Sequence, residues 1–156
     1  MTYVVEGLSP EQFAPLFAMD GAALAGCRAR MITADSASGY PCRVSLRDAD
    51  EGDRLLLVHH VNHAVETPYR NAYAIFVREG AGEAARFVNE VPPVFEGRPI
   101  AFRGYSVDGD LHTARLAMPG QADEILRTML EDPNIAYIVA HNAAHGCFAA
   151  RVRRHG

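Results

Sequence analysis

The chain has 156 residues, of which 49% are hydrophobic and 22% charged, a balance typical of one globular domain over residues 1–156. The formal charge of −4 argues against a nucleic-acid partner, because neutralising phosphates requires a basic surface. No apolar run approaches the roughly 18 residues of a membrane span, and Glu6 stands where a signal peptide needs a positive start. We therefore expect a cytoplasmic protein with no nucleic-acid or membrane partner.

The N-terminal segment predicts two strands and two short helices between them. Residues 3–6 have the composition of a strand. In SPEQ (9–12), serine supplies an N-cap oxygen, proline occupies the first turn and glutamine completes a capping box, so a helix should follow. Asp20 is expected to cap a second helix that Gly26 ends. Residues 27–34 fit the second strand.

Alternating apolar and polar residues predict another strand over CRVSLR (42–47). In a strand, Cys42 would share one face with two aliphatic side chains, and Arg43 would point to the opposite face. We therefore expect Cys42 to be buried, which is the usual role of a small free thiol.

The longest run of large aliphatic residues, LLLV (55–58), lies in a predicted strand over residues 54–61. An unbroken apolar run indicates burial on both faces, as in a central strand. Residues 62–68 should form a loop, and residues 72–78 the next strand.

The C-terminal half begins with a predicted hairpin. Residues 80–99 have no clear period and contain glycines and Pro92-Pro93, so they should form a long connection. Asp108-Gly109 separates apolar stretches at 100–107 and 110–117, and both turn residues tolerate positive φ.

Residues 121–131 are the clearest helix in the sequence, with apolar residues at i, i+3, i+4, i+7 and i+8, and Pro133 ends it. The last strands are expected at 135–140 and 147–153. The strand–helix–strand segment 110–140 should then be a right-handed crossover that joins parallel strands.

These elements predict an α+β fold. The expected architecture is a single domain with a mixed, largely antiparallel β-sheet of six to nine strands. Two or three helices, in residues 10–25 and 121–131, should pack on this sheet.

Two apolar strands end directly in polar clusters. His59-His60 follow the run 55–58, and His141-Asn142 follow the run 135–140. Strands that end in the same residue type suggest one site where the two ends meet.

A metal or cofactor site has little support in the sequence. The pairs His59/His63 and His141/His145 are each four residues apart, but each runs from a strand end into a loop, where this spacing has no geometric meaning. No Cys-x-x-Cys, His-Glu-x-x-His, phosphate loop or dinucleotide fingerprint is present. We predict no metal site and no cofactor.

A pocket for a small anionic molecule is the first functional hypothesis. Arginines held on or beside strands can make bidentate contacts to a carboxylate or phosphate, and tyrosine, histidine and asparagine can add hydrogen bonds. The predicted ligand-binding residues are Tyr40, Arg43, Tyr69, Arg70, His141 and Asn142.

A small enzyme, either a hydrolase or a transferase, is the alternative. His59 or His141 would act as general base, because an ordinary histidine pKa suits acid–base catalysis near neutral pH. Cys147 is the better candidate nucleophile, since it follows Gly146 at a strand start close to two histidines. The three cysteines, with Cys27, are an odd number without paired spacing, which predicts free thiols.

Several of these segments together resemble a known family. GYPCRVSL (39–46), PYR (68–70), IFVRE (75–79), HN (141–142) and GCFAAR (146–151) occur in the order seen in small bacterial proteins known as domain of unknown function 1203. The resemblance extends to the opening segments GL (7–8) and FAPL (13–16). It implies a bacterial, stand-alone, single-domain protein, and it brings no activity, substrate or mechanism with it.

Overall fold

Two antiparallel sheets and three helices make up the fold, and the computed structural model describes all residues from 1 to 156. The strands are β1 (Tyr3–Glu6), β2 (Ala29–Thr33), β3 (Arg54–His63), β4 (Asn71–Arg78), β5 (Arg86–Val88), β6 (Ile100–Tyr105), β7 (Leu111–Ala117), β8 (Tyr137–Asn142) and β9 (Phe148–Arg154). The helices are α1 (Ala14–Phe17), α2 (Gly21–Gly26) and α3 (Ala122–Glu131), with 3₁₀ turns at Pro10–Gln12 and Pro93–Phe95. The α+β class expected from the sequence is confirmed.

The larger sheet has six strands in the order β5-β1-β9-β8-β6-β7, and the smaller has three in the order β2-β3-β4. Every ladder in both sheets is antiparallel. As the run LLLV predicts, β3 is the central strand of its sheet, and Leu55 and Leu56 are fully buried.

Helix α3 covers one face of the six-stranded sheet and forms the main hydrophobic core with it. Leu126 and Leu130 of the helix are completely buried against Ile138 of β8 and Phe102 of β6. The helix approaches the sheet closely at Gly104, where a Cβ would lie 3.3 Å from Cε of Met129 in α3 and 2.9 Å from Cδ1 of Ile135, which follows the helix. A small residue in β6 therefore sets the distance between α3 and the sheet.

The three-stranded sheet forms a second core on the other side. Leu56 and Ile75 of this sheet pack in one cluster with Val139 and Phe148 of the larger sheet. Phe13 and Leu24 from the N-terminal helical segment complete that cluster. None of the helices is long and apolar enough to cross a membrane.

The segment from β7 through α3 to β8 joins two strands that run in the same direction. Both β7 and β8 pair antiparallel with β6, which lies between them. The parallel direction expected for this crossover is therefore confirmed, although the two strands are not neighbours.

Residues 42–47 form no strand, and this prediction was wrong. Cys42, Arg43, Val44 and Leu46 are all buried, so consecutive side chains do not alternate between an inner and an outer face. The backbone N–H of Leu46 donates to the Cys42 carbonyl at 2.9 Å, and Leu46 has φ of +55°. The segment is a tight loop, and Arg43 points inward because the chain turns there.

One of the two predicted helix caps is present. Asp20 caps α2, and its Oδ1 accepts from the Ala23 N–H at 2.8 Å. Ser9 makes no side-chain cap, because its hydroxyl bonds to Glu11, and Gln12 donates to the Ser9 carbonyl at 3.2 Å. The capping box was therefore wrong, and the first helical segment is only a 3₁₀ turn followed by the four residues of α1.

The end of β1 presses against the loop that carries Arg43. The Gly7 N–H donates to the Ala85 carbonyl at 2.9 Å, and the Leu8 N–H donates to the Arg43 carbonyl at 2.8 Å. A Cβ on Gly7 would lie only 2.1 Å from the Val44 carbonyl oxygen. Glycine at this position allows two backbones to approach and fixes the loop.

Replacing Gly7 with alanine should destabilise the protein by about 1–3 kcal/mol, because the new methyl group forces two backbone segments apart. The measurement is urea unfolding of Gly7→Ala beside Gly82→Ala. Gly82 is the matched control, since a Cβ there meets nothing within 4 Å and its φ is not positive. Equal stability of the two variants would contradict the close approach.

Candidate functional site

A cavity of about 250 Å³ lies where three segments meet: the loop of residues 42–47 (the Arg43 loop), the start of β6 and the β8–β9 turn. We call it the Arg43 cavity. It combines charged, polar and thiol side chains with small apolar ones. Its lining residues are Gly39, Pro41, Arg43, Phe76, Arg98, Pro99, Asn142, Ala143, Ala144, His145 and Cys147.

Arg43 lies at the base of this arrangement and is only 2% exposed. Its Nε donates to the Phe148 carbonyl at 2.8 Å and its Nη1 to the Pro41 carbonyl at 2.6 Å. Its Nη2 donates to Sγ of Cys147 at 3.1 Å. No ion pair of the protein includes Arg43, so this buried cation has no carboxylate partner.

Burial lowers the pKa of the Arg43 guanidinium, and the nearby Cys147 sulfur opposes that effect. An arginine nevertheless stays protonated in proteins, because its intrinsic pKa is so high. The positive charge is therefore permanent. A guanidinium also carries five N–H groups, so two of those on Arg43 remain outside the three bonds described above.

Asn142 and Cys147 face each other across the β8–β9 turn. The Asn142 side-chain N–H donates to Sγ of Cys147 at 3.3 Å, so the sulfur accepts from two side chains. Asn142 is 8% exposed, and its Oδ1 is buried without a hydrogen-bond partner. The turn is closed by the Gly146 N–H, which donates to the Asn142 carbonyl at 2.7 Å, while Gly146 has φ of +76°.

Arg98 brings a second positive charge to the cavity. Its Nη2 donates to Oδ2 of Asp48 at 2.7 Å, and both side chains are about one quarter exposed, at 23% and 25%. The other oxygen of Asp48, Oδ1, is buried and has no partner. Asp48 pairs with Arg98 alone, so the charge on Arg43 is not balanced by a carboxylate of the protein.

His141 lies beside this site but not in the cavity lining. Its Nδ1 is 3.0 Å from the Gly146 carbonyl, and its Nε2 is buried without a partner. Burial lowers the His141 pKa to about 4, and positive charge on Arg103, His63 and Arg43 acts in the same direction. His141 is therefore neutral at pH 7 and donates through Nδ1 to the carbonyl.

The two histidine-ended strands approach each other through Phe148. The ring of His60 lies 6.1 Å and the ring of His141 6.4 Å from the Phe148 ring, measured between centroids. Burial lowers the pKa of His60 as well. His59 points elsewhere, into a different surface cavity of about 400 Å³ that also contains Arg28 and Ala74.

Three further predicted ligand residues lie outside the cavity lining. The Tyr40 hydroxyl donates to Asp35 at 2.7 Å, and its ring packs on Phe76 with centroids 5.4 Å apart. Tyr69 is 41% exposed, and its backbone carbonyl lies 2.8 Å from Nδ1 of His63. Arg70 is a surface residue that pairs with the exposed Glu66 at 3.5 Å.

Of the predicted site residues, Arg43, Asn142 and Cys147 converge on the Arg43 cavity. Arg98 was missed, because it lies inside the aperiodic stretch 80–99, which was treated as a connection only. Arg98 stands directly before Pro99 and the strand β6. Other arginines on or beside strands were selected as ligand-binding candidates, and the same criterion could have identified Arg98. No group of three or more potential metal ligands is arranged to hold an ion.

A comparison with protein families gives a match, and the matched residues include those that line the Arg43 cavity. The family described as a protein of unknown function (DUF1203) matches residues 39–154. The chain belongs to the DUF1203 family. The DUF1203 match includes the Arg43 loop, Arg98 and the β8–β9 turn, whereas the opening segments at 7–8 and 13–16 lie outside it. No curated protein and no solved structure gives a significant match.

Arg43→Ala should cost about 3–5 kcal/mol of stability, because two buried carbonyls lose their donor and a cavity opens beneath them. Arg70→Ala should cost less than about 1 kcal/mol, since an exposed ion pair contributes little. Urea unfolding of both variants measures the two values. A small effect at Arg43 would show that its buried contacts are not needed by the fold.

His141 should make the protein less stable in acid. Its folded pKa of about 4 lies below the unfolded value, so between pH 6.5 and pH 4 the unfolded chain binds a proton that the folded chain excludes. Stability present near neutral pH is therefore lost as the pH falls through this window. Between pH 7 and pH 4.5 the wild type should lose about 2–3 kcal/mol more than His141→Gln.

The measurement is urea unfolding at the two pH values. His60 titrates in the same direction but is present in both proteins, so its contribution cancels in the difference. Identical pH dependence of wild type and variant would contradict the neutral, buried state of His141.

Proposed function

We propose that the protein binds a small carboxylate in the Arg43 cavity. The observation that carries this proposal is a guanidinium at 2% exposure that lines a cavity and has no carboxylate partner in the protein. A buried charge is costly unless an opposite charge and hydrogen bonds compensate for it. A bound carboxylate supplies both.

The cavity limits the size and the chemistry of this ligand. Its volume of about 250 Å³ is at the small end of ligand pockets, which suits a molecule of a few carbon atoms. The guanidinium of Arg98 can add a charge-assisted hydrogen bond. The free Oδ1 of Asn142 accepts hydrogen bonds, so a carboxylate that also carries an O–H or N–H group should bind better than one that does not.

The alternative of an enzyme with a histidine general base has less support. Nδ1 of His141 is bonded to the Gly146 carbonyl, and the neutral ring is held beside the cavity rather than in it. His59 lines a different cavity. Neither histidine is hydrogen-bonded to a nucleophile, which a general base requires.

A bacterial cytoplasmic setting fits the proposed site. All three cysteines are free, and Cys147 lines the cavity. A reducing compartment keeps such a thiol unmodified and the cavity open to its ligand.

Calorimetric titration with acetate, glycolate, succinate and phosphate tests the proposal. Glycolate should bind more tightly than acetate, because its hydroxyl can donate to Asn142. Arg98→Gln should weaken binding about tenfold, the equivalent of losing one charge-assisted contact of roughly 1.4 kcal/mol.

Two controls accompany this test. Arg98→Gln with Asp48→Asn removes the partner carboxylate as well, so a folding defect from an unpaired charge is separated from a loss of binding. Arg70→Gln removes a surface arginine outside the cavity and should bind as the wild type does. No binding of any of the four anions, or equal weakening by Arg70→Gln and Arg98→Gln, would refute the proposal.

A further inference from the structure

We propose that Cys147 is a nucleophile whose sulfur is held as a thiolate by Arg43 and Asn142, with no histidine base. The inference rests on the proposed carboxylate site, because it makes the substrate a small carboxylate that carries an electrophilic carbon. It assigns the role of a nucleophile that bonds covalently to the substrate to a side chain that the binding proposal leaves unused.

The geometry around the sulfur favours negative charge. Sγ of Cys147 accepts from Nη2 of Arg43 at 3.1 Å and from the Asn142 side chain at 3.3 Å. A thiolate is stabilised by an adjacent cation and by hydrogen-bond donors. Both are present here on rigid elements, the Arg43 loop and the end of β8.

The partners of Arg43 give a second argument. Its guanidinium contacts two backbone carbonyls and one sulfur. Carbonyl oxygens carry only partial negative charge, whereas a thiol can lose its proton and carry a full charge. Sulfur is therefore the one partner among these three that can carry a full negative charge, and the two Arg43 N–H groups outside these bonds stay free for the substrate carboxylate.

Cys147 is also accessible, which separates it from the other buried thiol. It is partly exposed and lines the cavity together with Asn142, whose Oδ1 has no hydrogen-bond partner. Cys42 is 0% exposed and accepts only the backbone N–H of Arg78, at 3.3 Å. Cys27 is exposed, and its Sγ lies 4.0 Å from Sδ of Met19.

The chemical step requires no proton transfer to a base. The anionic sulfur donates an electron pair to the substrate carbon that carries the leaving group, which is not the carboxylate carbon, and an S–C bond forms. The bond between that carbon and its leaving group breaks, and the leaving group departs with the bonding electrons. Arg43 and Arg98 hold the carboxylate, while the carbon that carries the leaving group faces the sulfur.

Alkylation with iodoacetate and iodoacetamide tests this inference on the full chain. The two reagents share the electrophilic carbon and the iodide leaving group, but only iodoacetate carries a carboxylate. Rates at Cys147 and Cys27 are measured in the same sample at pH 7 by peptide mass spectrometry. Cys147 should react about tenfold faster than Cys27 with iodoacetamide, and its iodoacetate-to-iodoacetamide ratio should exceed that of Cys27.

Variants assign the two effects to their residues. Asn142→Ala removes a donor to the sulfur and should slow Cys147 with both reagents. Arg98→Gln should lower the iodoacetate-to-iodoacetamide ratio at Cys147. Arg70→Gln, outside the cavity, should alter neither rate, and Cys147→Ser confirms which peptide carries the adduct.

The result that refutes the nucleophile differs from the result that refutes the carboxylate site. If Cys147 reacts no faster than Cys27 with either reagent while calorimetry shows carboxylate binding, the nucleophile is refuted and the binding site stands. If Cys147 is fast but has the same reagent ratio as Cys27, the thiolate stands and the carboxylate site is refuted.

Discussion

The buried guanidinium of Arg43 is the interaction on which the rest of this site depends. It is 2% exposed and joins the loop before β3 to the start of β9 through carbonyl and sulfur acceptors. Burying an ion costs several kcal/mol unless its donors are satisfied. The surrounding chain supplies those acceptors from Pro41, Cys147 and Phe148, and the loop that carries Arg43 turns with positive φ at Leu46.

The same residue type has a different role on the surface. Arg70 pairs with Glu66 in water, where screening makes the pair contribute little. Around Arg43 the low polarity strengthens each electrostatic contact. A negative charge beside Arg43 is therefore stabilised far more than one near Arg70. Burial distinguishes the arginine of the proposed site from the exposed arginines.

The neighbouring His141 adds no second positive charge beside Arg43 at neutral pH. His141 is neutral because burial lowers its pKa to about 4, and its Nδ1 proton goes to the Gly146 carbonyl. This bond ties the ring to the turn that carries Asn142 and Cys147. The contact between the His141 ring and the Gly146 carbonyl joins the end of β8 to the start of β9.

The sequence by itself determined the elements whose signals are local. The apolar run in β3, the period of α3, the Asp108-Gly109 turn and the Asp20 cap each depend on residues a few positions apart. Burial of Cys42 was also predicted, although on a false strand pattern. Only the tertiary structure decided that residues 42–47 turn inward, since acceptors for Arg43 lie up to 105 residues away. Such long-range hydrogen bonds leave no periodicity in the chain, so the meeting of Arg43, Arg98, Asn142 and Cys147 follows from packing alone.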